Sequence, residues 1–343
     1  MVAGDETNAL PTALARLQKL CDEGRKDEFA LACRELLRVY GRNSEALMRL
    51  ARFCQKRGQL EGFELFMVRL AQRLPASRSG ILLTLGEHLI KAGRRRGLAH
   101  LAEACQAAGS PEAAGVVTAR AVEAAAAYLA GRDDWEDAVR QFPPDVQGDL
   151  YLELAARFGP ASPEKAWRAY RRGLAANPRA WPGQALAEVA AAYARRLAPS
   201  EPERAVEVLL WASERADDPH LVSQAAAVAL AAGDKERALS LSRQAARRLP
   251  NDLENLGRLA ALQAEKGQWG QVAALAPAIG AGIARLNPWQ REEYRQAADL
   301  AVEALLRTGR VLQARTAVDQ MGLPGPWRQR WENRLKEEQG RTT

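Results

Sequence analysis

The chain has 343 residues, of which 47% are hydrophobic and only 6% aromatic, and its 49 Lys and Arg outnumber its 42 Asp and Glu to give a formal net charge of +7. No run approaches the 18 or so apolar residues that a membrane-spanning helix needs, and the opening MVAGDETNALPTALARL has no basic segment followed by an apolar one, so neither a membrane span nor a secretory leader is expected. The basic balance is compatible with an acidic partner and equally with an arginine-rich surface, because net charge bears on association and not on fold.

Taken in chain order, the sequence is a series of helical pairs. The first, 10–43, turns at Gly24, the second, 44–77, at Gly58, and the third, 79–112, at Gly93, so these glycines stand 34 and 35 residues apart. Units at 117–146, 147–178 and 185–218 follow with looser spacing; units at 219–252 and 253–288 restore the period, with Gly233 and Gly267 again 34 apart, and a unit at 292–323 precedes a last helix at 327–338. Within 44–77, Leu47, Leu50, Ala51 and Cys54 follow the i, i+3, i+4, i+7 rule, as Phe63, Phe66, Met67 and Leu70 do after the turn. No stretch alternates as a strand would. Asp234, Ser162 and Ser200 are placed to cap helices. SPEKA and SEPERA each set a proline in a first turn, and Pro75, Pro178 and Pro250 close their units. One hairpin cannot bury two apolar faces, so the units must stack. The expected fold is all-α: one right-handed α-solenoid of about nine hairpins over 1–343. Trp327, Trp331 and Leu335, spaced by four, are expected to form the inner face of its capping helix.

The repeat resembles the tetratricopeptide family over nearly the whole chain. The residues carrying the resemblance are Ala51, Phe63, Met67, Leu70 and Pro75 in the second unit, Leu154, Ala166, Tyr170, Gly173 and Pro178 in the fifth, and Ala226, Gly233, Ala238, Ala245 and Pro250 in the seventh. The early tryptophan of that family is missing here, and the units at 117–146, 185–218 and 292–323 depart in length or turn. The resemblance implies a non-catalytic scaffold whose first helices line a concave, partner-binding groove. A Lys/Asn clamp for a partner's carboxylate end is not expected, since Asn255 is almost alone among first-helix asparagines.

Nothing in the sequence points to chemistry. His88, His100 and His220 are scattered without metal-ligand spacing, and no phosphate-binding glycine loop, HExxH or nucleophile elbow is present. No enzymatic activity, cofactor or metal is therefore expected. Cys21, Cys33, Cys54 and Cys105 lack CxxC spacing and read as reduced thiols, with Cys33, Cys54 and Cys105 in small apolar slots. A cytoplasmic location is the corresponding expectation.

Function is expected in the groove. Its basic early part is assigned to Arg52, Lys56 and Lys91, and its apolar middle to Tyr128, Tyr151, Phe158, Leu197 and Leu230, together with alanines such as Ala121, Ala155 and Ala190. That pattern suits an acidic, amphipathic helix or peptide of a partner protein, and the irregular region between Gly93 and Gly233 is the favoured location. The basic turn Arg94, Arg95 and Arg96 is a candidate contact for acidic protein or phosphate, though it lacks the interleaved aromatics of single-strand binders. Trp167 and Trp211 are expected to pack between units, and Trp181 and Trp289 to staple inter-repeat turns. The alternatives are a nucleic-acid or acidic-polymer binder and a domain that senses a peptide or metabolite.

Overall fold

A computed structural model describes residues 6–109, 111–323 and 325–342, with the side chains of 6–8, 111 and 340–342 outside that description. The first five residues of the opening segment, and Pro324 of the GLPGP punctuation, lie outside the described residues. All regular structure among the described residues is helical. The chain forms two compact bodies, Met1–Ala180 and Trp181–Thr343, and each is an α-solenoid of stacked helical hairpins.

The first body contains α1 (Glu6–Asp22), α2 (Lys26–Tyr40), α3 (Ser44–Lys56), α4 (Leu60–Arg73), α5 (Arg78–Lys91), α6 (Gly97–Gln106), α7 (Pro111–Leu129), α8 (Trp135–Val139), α9 (Pro144–Phe158) and α10 (Pro163–Ala176). The second contains α11 (Gly183–Leu197), α12 (Pro202–Ala216), α13 (His220–Ala231), α14 (Lys235–Arg248), α15 (Leu253–Glu265), α16 (Trp269–Ala284), α17 (Pro288–Arg291), α18 (Arg295–Arg307), α19 (Val311–Met321) and α20 (Gly325–Thr342). Within each body helices pair, as α3 does with α4, and neighbouring pairs pack together, as α4 does on α5 and α14 on α15.

The periodic glycines end the first helix of their hairpins. Gly58 has φ +65°, and Gly233 has φ +86°. At each, the following N–H reaches back five residues to a helix carbonyl: Gln59 N to Cys54 O is 2.9 Å, and Asp234 N to Ala229 O is 2.9 Å. That left-handed closure satisfies carbonyls that the helix end would otherwise leave unpaired. Asp234 then caps α14 by accepting from Arg237 N at 3.0 Å. Ser162 makes no side-chain cap bond, and Glu201 rather than Ser200 precedes α12; Pro163 and Pro202 open the two helices, at a position whose N–H has no partner within the helix. Asn43 and Asp252 are working caps, on Ala46 N (3.0 Å) and Asn255 N (3.2 Å).

Small residues set how closely paired helices approach. A methyl group added to Gly97 would lie 2.7 Å from the Gly86 carbonyl oxygen and 2.9 Å from Ile90, so α5 and α6 touch backbone to backbone. One added to Gly173 would lie 2.8 Å from Leu152 and 3.2 Å from the Gly148 oxygen, where α10 crosses α9. Ala51, Ala166, Ala226, Ala238 and Ala245, five of the slots that carry the tetratricopeptide resemblance, are buried.

One hairpin departs from the pattern. Helix α8 has only five residues, so α7 packs directly on α9. The space that a full second helix would occupy is filled by Trp135, buried edge-on against Tyr151 (6.0 Å between centroids) and Phe158 (5.3 Å).

At the other end, α20 closes the second body as the tryptophan spacing predicts. Trp327, Trp331 and Leu335 are all buried. The carboxylate of Asp299 on α18 accepts the indole N–H of Trp327 at 2.6 Å and that of Trp331 at 2.8 Å, and it also pairs with Arg330. One acid thus satisfies both donors that burial strips from water.

Two stability measurements test this packing. Gly97→Ala should lower unfolding stability by about 1–3 kcal/mol in urea titrations, whereas Gly115→Ala, whose new methyl group meets nothing within 4 Å, should raise it by up to about 1 kcal/mol. Asp299→Ala should cost about 2–3 kcal/mol and shift tryptophan emission as two buried indole N–H groups lose their acceptor.

Candidate functional site

The structure separates the residues expected to share one groove. Arg52, Lys56 and Lys91 are exposed on the first helices α3 and α5. Tyr128 on α7 is half-buried, with its hydroxyl donating to the Gly93 carbonyl at 3.4 Å and the Arg132 guanidinium 3.9 Å from its ring centre. Leu230 on α13 is half-buried as well. Tyr151, Phe158 and Leu197 are not groove residues, because all three are buried, as are Ala121, Ala155 and Ala190. The reason is steric. Small residues and the aromatics that interlock with them are what stacked hairpins need inside, so an alanine-rich stretch marks packing rather than a wide groove. The face that α9 and α11 turn to water carries Asp145, Asp149, Glu188, Arg195 and Arg196 instead.

Two arginines of the basic turn serve the fold. Arg95 pairs with Asp134, just ahead of α8, and Arg96 Nε lies 2.8 Å from Glu64 Oε2 on α4. Arg94 alone of the three makes no ion pair among the described residues. Trp167 is buried, and Trp211 is partly buried. Trp181 and Trp289 do not staple turns: they are 67% and 68% exposed, because Pro182 and Pro288 beside them lead straight into helices and leave the indoles outside.

What the first body does offer on its first-helix side is a cavity of about 550 Å³ between α3 and α5. Met48, Phe63, Met67 and Ile81 form its apolar floor, and Arg52, Gln55, Ser79 and Thr84 its polar rim. Phe63 is held there by an edge contact with His88, 4.8 Å between ring centres. Gly80 borders the opening, and a side chain placed on it would meet nothing within 4 Å. An apolar floor with a few polar rim groups suits a side chain of a bound peptide. Arg52 was legible in the sequence as part of this region. The opening at Gly80 was not, since it depends on where the end of α4 carries the chain.

The thiols are free, with Cys33 and Cys54 buried and Cys21 and Cys105 only partly so. Cys105 thus sits nearer the surface than its slot suggests. Its hydrogen-bonded contact with Cys33, and then its burial, push the Cys54 thiol far above the ordinary range, which leaves it a poor nucleophile. Among the described residues, no group of three or more His, Cys, Asp and Glu is placed to hold a metal ion, and no helix is long and apolar enough to cross a membrane.

No protein-family model matches the sequence, and no curated protein matches it either. Among solved structures the chain is similar to Pseudomonas aeruginosa pilF, at 16% identity and TM-score 0.34 over 76% of this chain and 99% of that one. It is also similar to the Cut9–Hcn1 hetero-tetramer of the APC/C, at 10% identity and TM-score 0.42 over 89% and 85% of the two chains. A third likeness is to the TPR domain of P58(IPK), at 12% identity and TM-score 0.26 over 97% and 99%. The hairpins themselves, with their glycine turns and small crossing residues, are tetratricopeptide-like.

Because Tyr151 and Phe158 are core residues, replacing both with Asp should unfold the first body rather than abolish binding in a folded protein. The expected cost is at least about 3–5 kcal/mol for each loss of a buried aromatic, read as lost helical signal in circular dichroism.

Proposed function

We propose that this chain is a non-catalytic scaffold that binds a peptide or helix of a partner protein on its first-helix side, at the cavity between α3 and α5. The single observation that supports it best is the cavity itself, in which partly exposed Met48 lies over buried Phe63, Met67 and Ile81 and exposed Arg52 stands on the rim. A partner would insert one apolar side chain beside Met48, and acidic residues next to it would meet Arg52 and then Lys56, one turn along the exposed face of α3. A structure of helical hairpins alone supplies side chains for recognition and few backbone groups, so specificity would rest on such anchors. The nucleic-acid reading has less support, since Arg95 and Arg96 of the basic turn are already held in ion pairs.

Selection of a displayed random-peptide library against the full chain provides the test. Peptides with an apolar anchor next to acidic residues should emerge. Gly80→Trp, which fills the opening without touching the core, should weaken them about tenfold or more, and Arg52→Glu should weaken the acidic ones most. A library that yields only peptides indifferent to both substitutions would remove the cavity as the binding site.

A further inference from the structure

The opposite side of the same hairpins holds a second opening. Between the second helices α2 and α4 lies a cleft of about 800 Å³, separate from the cavity between α3 and α5. Its floor is aliphatic, formed by Leu37, Leu65 and Val68, all partly exposed. Its rim is cationic: Arg38 and Arg42 at the end of α2, Arg69 on α4 and Arg96 ahead of α6.

The charge there is not balanced from within. Two carboxylates line the cleft, Glu61 and Glu64, and Glu64 is already engaged by Arg96 at 2.8 Å and His100 at 2.9 Å. Arg69 is fixed by neutral partners, with Nε on the Gly41 carbonyl (3.1 Å) and Nη1 on Gln72 Oε1 (3.1 Å), so its position is set while its charge stays uncompensated. Arg38 and Arg42 make no ion pair among the described residues. Leu31, seven residues before Arg38 and so on the same stripe of α2, is 54% exposed and extends the apolar surface along the helix. Of the acids on that stripe, Glu35 is paired with Arg16 at 3.2 Å, and Asp27, in the first turn of α2, is not among the residues that line the cleft.

The geometry points to this cleft as a docking site for an acidic amphipathic helix of a partner protein. Apolar residues at i, i+3 or i+4 and i+7 of such a helix lie over Leu37, Leu65 and Val68, while Asp and Glu on its flanks face Arg38, Arg42 and Arg69. A single nucleic-acid strand fits less well, because the lining offers no aromatic surface for bases and carries Glu61 and Glu64 in its wall. A second copy docked face to face would set these arginines against their own equivalents. This site is additional to the binding proposed above, and the two fail separately.

The test uses the full chain and a fluorescein-labelled, end-blocked helical peptide of about 18 residues with Leu at the heptad core positions and Glu on both flanks. Two control peptides replace Glu by Lys and Leu by Ser, and a labelled oligothymidylate serves as the nucleic-acid probe. Fluorescence anisotropy should show binding of the Glu peptide only. Measured in the Gly80→Trp background, which closes the α3–α5 cavity to the same peptide, that binding should persist, weaken about tenfold or more when Arg38→Glu/Arg42→Glu is added, and weaken as salt rises from about 50 to 300 mM. Circular dichroism should show the double variant as helical as the parent, since both arginines are exposed. Equal binding of the Lys peptide, or of the double variant, overturns the assignment. So does binding of the oligothymidylate in place of the peptide, or self-association in sedimentation that the double variant abolishes.

Discussion

Two helices can pair only as closely as the residues between them permit, and everything else here depends on that distance being short. Gly86 and Gly97 bring the backbones of α5 and α6 into contact, and Gly148 and Gly173 do the same for α9 and α10. A tight pair presents a nearly continuous apolar surface to the next pair, and burying that surface is what holds neighbouring hairpins together. The alanines repeated through the sequence are the consequence. They fill the interior at a size that stacking tolerates, and larger residues enter only where the spacing opens.

Trp135 shows what happens where it opens. Where α8 is reduced to a single turn, its indole is buried edge-on against Tyr151 and Phe158. The end of the second body meets a related difficulty, since a terminal hairpin has no successor to cover it. Helix α20 supplies the cover, and its tryptophans enter the core because Asp299 accepts both of their N–H groups. Irregular repeats in this chain are therefore sites of compensating packing, and the open surfaces of the first body occur among the regular repeats.

Charge follows the same geometry. Several arginines tie one hairpin to another, as Arg95 does through Asp134, Arg96 through Glu64 and Arg120 through Glu87 at 2.7 Å. Such exposed pairs add little stability singly, but they hold the guanidinium groups that make them in fixed positions on the surface. Among the arginines outside those pairs are Arg52 by the α3–α5 cavity and Arg38 and Arg42 by the α2–α4 cleft.

The sequence by itself determined the helices, the glycine turns, the capping role of Trp327, Trp331 and Leu335, and the small residues at helix crossings, because each depends on contacts a few residues apart or on a period that repeats. Tertiary structure alone decided which side of each helix is covered. Tyr151 and Phe158 read as groove residues because an aromatic on an amphipathic helix looks the same from either side of the stack. Trp181 and Trp289 read as staples because exposure depends on the path of the chain after Pro182 and Pro288. Whether an arginine is free or spent, and whether an apolar side chain is floor or core, is settled by neighbours 30 or more residues away, and a local pattern carries no record of them.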